Sequence, residues 1–359
     1  MLNSKQISEI HEHLEKAQNP LFFFDNDADG LCSFLLLQRF IGRGKGIPIK
    51  SFPEMTKGHF RRIGELNADY VFILDKPEVS REFFEEVEKI NVPIVWIDHH
   101  YVEDLYVPGW VNYYNELGNI SEDNSGFARL QKTAEPTTFL CWQVVGDLRE
   151  DDLWLAVVGC IADSFLPKYY KDFLKKFPEL GFETNNAFDV LYESDIGKIA
   201  QIFNAGLKDR ITNVIKMLKF LMGAKGPYDV LEISSKNKEM NERFILINKK
   251  QKKFVEKAKV SSDEGKLLFF QYGGNMSISS DLANELCYLY PDKIIVVVYV
   301  TGVKANISLR GKNVKGLLLK VIDGFEGAMG GGHNDAVGGL IRIEDLEKFK
   351  SRIEELTKQ

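Results

Sequence analysis

The stretch PLFFFDNDADG, residues 20–30, decides the fold. PLFFF reads as a short buried strand, and it runs directly into three acids at alternate positions, Asp25, Asp27 and Asp29. LCSFLLLQRF, which follows Gly30, reads as a helix entered through a turn. Working outward, DYVFIL is a second strand, SREFFEEVEKI a helix and VPIVWI a third strand. WVNYY, a further strand, and two helical stretches, TTFLCWQVVGDL and DDLWLAVVGCIA, complete this part. Strands that are apolar throughout, separated by helices, indicate a parallel sheet covered on both faces. Ligands of such sheets gather beyond the carboxyl ends of the strands.

Three strands finish at that edge in metal-ligating chemistry: the first in Asp25, the second in Asp75, the third in Asp98-His99-His100. Like charges packed together after apolar strands are costly, and a cation removes the cost. DxDxDG alone also fits a solvated turn. A calcium loop is excluded because an apolar helix follows Gly30, with no Glu at the closing position. Asp163 closes the apolar helix LWLAVVGCIA, a place where an unpaired acid is unusual. Carboxylates with imidazole suit Mn²⁺ or Mg²⁺, whereas zinc sites carry more His or Cys. Two such ions roughly 3.5–4 Å apart serve in-line displacement at phosphorus, which points to phosphoester hydrolysis.

At 359 residues the chain exceeds what one core needs, so two domains are expected. A 44% hydrophobic and 27% charged composition is that of a globular protein. No apolar run spans a bilayer, and MLNSKQISEIHEHLEK is a polar amphipathic helix rather than a secretory signal, so cytoplasmic residence is expected. The four cysteines, at 32, 141, 160 and 287, lack the spacing of a disulfide framework or a zinc site. The net charge of -6 hides an asymmetry: residues 205–260 carry 14 Lys/Arg against 6 Asp/Glu, a local +8. That region reads as Lys-rich helix and fits either a solvated face or a track for a phosphate backbone.

Strands return from about 265 as KLLFFQY, KIIVVVYV, VKANISLR and VGGLIRI, interleaved with helices, forming a second and smaller α/β domain. The segment GGGHNDAVGG, 330–339, reads as a glycine-rich loop whose N–H groups could approach an anion, or as a tight turn with an incidental His333. Arg310 ends the strand ANISLR, either as a phosphate fork or as an ordinary strand-end arginine.

DNDADG at 25–30, the strand-end LD with Asp75, DHH at 98–100, IADS with Asp163 and GGGH at 330–333 together resemble the DHH/DHHA1 phosphoesterase superfamily. That superfamily includes RecJ-type exonucleases and oligoribonucleases acting on very short RNA. The resemblance implies a DHH catalytic domain over 1–190, a helical connector over 191–264 and a DHHA1 substrate-binding domain over 265–359. It implies that Asp25, Asp27, Asp75, His99 and Asp163 bind two Mn²⁺ ions, or Mg²⁺, with Asp75 as the bridge. Asp29, Asp98 and His100 form the implied catalytic set, His100 touching the scissile phosphate and Asp98 orienting a histidine. Arg310, Gly331, Gly332 and His333 would hold the substrate. Some members carry a histidine four residues before the first motif acid, where this chain has Leu21. Asp29 and the length favour compact archaeal RecJ-like, helicase-associated exonucleases of 3′→5′ polarity, acting on single-stranded DNA and on RNA. An oligoribonuclease (nanoRNase-like) or dinucleotide phosphodiesterase is the alternative, and an inactive replication or repair scaffold the third reading. Implied partners are single-stranded nucleic acid, a repair helicase or replication factor, and a second copy of the chain, with no membrane.

Overall fold

The computed structural model describes residues 1–51, 53–116, 135–260 and 265–358. The chain divides into two units, residues 1–244 and 245–359.

The first unit is built on a five-stranded sheet: β1 (Pro20–Asp25), β2 (Lys45–Ile49), β4 (Tyr70–Leu74), β6 (Ile94–Ile97) and β7 (Asn112–Tyr114). The order is β2-β1-β4-β6-β7, and every pairing is parallel. Two further strands, β3 (Glu54–Met55) and β5 (Glu78–Val79), pair separately. Alternate residues of β1 serve opposite faces. Phe22 and Phe24 pack on Phe34 of the helix Ala28–Ile41. Leu21 and Phe23 join Ile73, Trp96, Phe83 and Phe84 on the other face. That double covering is why the strands read as continuous apolar text. Lys45–Ile49 gave no strand signal, because KGIPI carries Gly and Pro. Proline is tolerated there since β2 is an edge strand.

Behind the sheet lies the helix Leu153–Ala162, buried from Leu153 to Ile161. Gly159 lets it approach the helix Thr137–Val145, since a Cβ there would lie 2.1 Å from Thr138 Oγ1. A buried ion pair of 2.6 Å joins Arg39 to Asp152 just before this helix. The helices Asp195–Leu207 and Ile211–Gly223 belong to the first unit, and the 23-residue helix Lys238–Val260 contains the division at 244/245. Residues 261–264 of the anticipated connector lie outside the described residues.

The second unit carries β8 (Leu267–Gly273), β9 (Ile294–Thr301), β10 (Lys304–Arg310), β11 (Met329–Gly332) and β12 (Ala336–Arg342), ordered β11-β12-β10-β9-β8. Only the β8–β9 pairing is parallel. One face buries Val296, Val298, Ile307 and Leu309 with Leu318 and Phe349 from two helices. The GGG of the anticipated loop is instead edge strand β11, with Gly330 opposite Gly339 and Gly331 opposite Gly338. Lack of side chains is the reason: a Cβ on Gly330 would come within 3.0 Å of Ile322. Among the described residues no helix is long and apolar enough to cross a membrane.

Candidate metal centre

Because β1, β4 and β6 run parallel, their carboxyl ends lie side by side and deliver Asp25, Asp75 and the Asp98–His100 run to one edge. Asp27 caps the helix Ala28–Ile41, its Oδ1 accepting from Gly30 N–H at 3.0 Å. Gly30 is required, since a Cβ would meet the Asp25 carbonyl oxygen at 2.5 Å. Asp75 has φ +59°, a left-handed conformation that a non-glycine residue rarely adopts and that clusters at functional sites.

Donor atoms of Asp25, Asp27 and Asp75 lie within 4.8 Å of one another, as do those of Asp29, Asp75 and His99, and those of Asp75, Asp98 and His100. Asp75 belongs to all three groups, the geometry required of a bridging ligand. His99 Nε2 stands 3.4 Å from Asp75 Oδ1 and 3.8 Å from Asp163 Oδ2, so the residue closing the helix Leu153–Ala162 reaches the same place. The anticipated ligands therefore assemble from four separate segments. Asp75 and His99 are buried, whereas Asp27 is exposed and the Asp163 side chain is 34% exposed, so one side faces solvent.

Electrostatics argue for a cation. Burial, then the charge of Asp27, pushes the Asp75 carboxyl well above the usual carboxylate range. Burial, then Asp75, does the same to Asp29. A divalent ion among these oxygens replaces mutual repulsion with attraction, and carboxylates with one imidazole suit Mn²⁺ or Mg²⁺. The donor set fits such ions.

Asp98 is fully buried and holds His100 twice, through Nδ1 at 2.8 Å and the backbone N–H at 2.9 Å. Burial opposes a charge on this imidazole, but Asp98, then Asp75 and Asp163, outweigh it and push His100 up to about 10. Asp29 behaves differently from a simple ligand. Its carboxylate accepts from Thr137 N–H at 3.0 Å and Thr138 N–H at 2.8 Å, serving as the cap of a helix that has no side-chain cap of its own.

Two supporting residues escaped the sequence. Lys76 is fully buried, and its Nζ donates to Asp25 Oδ1 at 3.0 Å and to the Ser51 carbonyl at 2.7 Å. Asn204, from the helix Asp195–Leu207, accepts from Ala28 N–H at 2.8 Å and steadies the acidic turn. The one available signal was a lysine wedged between a strand-end acid and Pro77, where the chain has little freedom to turn outward.

In the second unit, Arg310 faces Ala336 and Gly332 faces Val337, so Arg310, Gly331, Gly332 and His333 gather at one end of its sheet. The Arg310 guanidinium lies at the start of the helix Ser279–Leu289, donating to Asn284 Oδ1, to Ser280 Oγ at 2.9 Å and to the Leu309 and Val337 carbonyls. Ser308 and Ser279 add hydroxyls beside it, 3.0 Å apart.

Residues 238–359 match the family model of the DHHA1 domain. No curated protein matches the chain. Among solved structures it is similar to RecJ in complex with Mn²⁺ from Thermus thermophilus, at 16% identity and a TM-score of 0.68. That alignment covers 99% of this chain and 54% of the other, so the chain spans about half the length of that RecJ. A manganese-bound exonuclease RecJ aligns at 17% identity over 99% and 94% of the two chains, with a TM-score of 0.62. CDC45 from Entamoeba histolytica aligns at 10% identity over the full length of both, with a TM-score of 0.55.

Proposed function

We propose that this chain, which has a RecJ-like fold and matches the DHHA1 domain over residues 238–359, is a DHH-type divalent-metal phosphodiesterase that shortens single-stranded nucleic acid from one end. The observation that carries the reading is the convergence on Asp75 of carboxylates and an imidazole from four segments. Asp25, Asp27 and Asp75 would hold one ion, and Asp75, His99 and Asp163 the other. When bound, the pair supplies a hydroxide nucleophile and neutralises charge on the phosphate. His100, kept cationic and pointed by Asp98, is suited to a non-bridging phosphate oxygen. Asp29 sets the position of the helix behind Asp75 and supports the site rather than reacting. Arg310, the neighbouring serine hydroxyls, the Gly331–Gly332 end of β11 and His333 are suited to a nucleotide phosphate.

Hydrolysis of end-labelled single-stranded DNA and RNA of two to thirty nucleotides, with Mn²⁺ and with Mg²⁺, tests this. A ladder shortening from the 3′ end is expected. Cleavage confined to substrates of two to five nucleotides would replace the exonuclease with an oligoribonuclease. Asp27→Asn should lower turnover by at least about 100-fold with the melting temperature kept, because it disturbs coordination rather than packing. Unchanged turnover in that variant would remove the site from the reaction.

A further inference from the structure

We infer that Lys76 is a built-in cation at the metal centre, competing for Asp25 with the ion that Asp25 would hold, so that the two ions bind with unequal affinity. The inference rests on the metal reading above and concerns what this chain adds to it.

Lys76 has no exposed surface, and its ammonium lies 3.0 Å from Asp25 Oδ1. A lysine is rarely buried fully unless it is paired, because its charge must leave water. Its carboxylate partner is not a structural acid elsewhere in the core. It is one of the three carboxylates whose oxygens cluster within 4.8 Å, Asp25, Asp27 and Asp75. The Lys76 backbone is fixed as well: Trp96 Nε1 donates to its carbonyl at 2.9 Å, and Asp75 before it turns the chain at φ +59°. The ammonium is therefore held in place rather than adventitiously folded inward.

The consequence follows from which ligand the ammonium touches. The group of Asp25, Asp27 and Asp75 brings three carboxylates together with one ammonium in contact. The second group sets the carboxylates of Asp75 and Asp163 around His99 Nε2, while Asp29, 4.0 Å from the same atom, is taken up by the Thr137 and Thr138 N–H groups. The His100 imidazole lies 4.0 Å from the shared Asp75 and bears on both ions, whereas the Lys76 ammonium contacts Asp25, so an ion at Asp25 shares its ligand with a positive neighbour. Coulomb's law at this range makes the first ion the weaker and more readily exchanged of the two. Asp25 is simultaneously kept in one orientation, so the weak position is ready when its ion arrives.

Mn²⁺ titration of the intact protein, read by calorimetry and by the electron paramagnetic resonance of free Mn²⁺, tests this without reference to turnover. Two classes of ion are expected in the wild type. Lys76→Met, which keeps the buried stem, should tighten the weaker class by at least about tenfold and leave the tighter one in place. Lys76→Arg should keep the wild-type pattern. A second variant, Asp25→Asn, should abolish the weaker class alone, and it serves should Lys76→Met fail to fold. The inference is overturned by an unchanged or weakened second ion in folded Lys76→Met, or by loss of the tighter class in Asp25→Asn. A wild type that binds no Mn²⁺ would overturn the metal reading itself and this inference with it.

Discussion

Asp29 carries a carboxylate into a position with 3% exposure, where two helix N–H groups and the partial positive charge of a helix start receive it. Removing it strands both donors in the core. Asp29→Ala should therefore cost about 2–3 kcal/mol of stability, read as a shift in the urea midpoint. Asp29→Asn, which retains one acceptor, should cost less. Equal losses would mean that the one acceptor and the volume which Asn retains count for nothing there, and that the second carboxyl oxygen carries the effect. At this scale the sequence was informative about which residues meet: alternate acids on a strand end and an acid closing an apolar helix both declare themselves. It was silent about what each does. DxDxDG does not distinguish a ligand from a cap, because the distinction lies in Thr137 and Thr138, more than a hundred positions away. Lys76 was hidden for the same reason, since its burial depends on β1 and the Ser51 loop.

The elements were legible where periodicity or apolar continuity was strong, and lost where glycine or proline interrupted it. Strand β11 is the clearest loss, for its stability comes from pairing with β12 and from close packing rather than from side chains. The glycines within it are not equivalent. Gly332 has φ +126°, and a Cβ there would lie 2.7 Å from the Ala336 carbonyl oxygen, whereas a Cβ on Gly331 meets nothing within 4 Å. Gly332→Ala should therefore destabilise by about 1–3 kcal/mol while Gly331→Ala is close to neutral, by thermal or urea unfolding. The helix Lys238–Val260 offers a second test. Lys249, Lys252 and Lys253 are exposed, while Lys250 lies over the rings of Phe254 and Tyr272. If the helix follows a phosphate backbone, replacing the three exposed lysines with Gln should flatten the salt dependence of binding to long single strands by up to about two units of slope. An unchanged slope would make it a solvated face.

For the whole molecule the clustered carboxyls and His100 set a pH dependence. Asp29 and Asp75 ionise far less readily in the folded chain than the usual pKa of about 4 for an unfolded carboxyl, so the native state holds more protons. Stability without metal should fall as pH rises from about 4. His100, raised to about 10, adds stability below about 6.5 that is also lost on going up. Chelator-treated protein should thus melt at a lower temperature at about pH 7.5 than at about pH 5.5, and saturating Mn²⁺ should remove most of that difference in a calorimetric scan. A chelated protein more stable at the higher pH would mean that the carboxylates are relieved by some other charge. The parallel sheet has one more consequence. The proposed ligands stand at 25, 27, 75, 99 and 163, so ribosomal synthesis delivers the last of them long after the first. A nascent chain that has shown only β1 and β4 holds clustered acids with no closing helix, and a metal ion met at that stage would find an open, partial cage. If these residues hold metal, their cage is complete only once the helix ending at Asp163 has left the ribosome, and loading would be a late event in the life of each molecule.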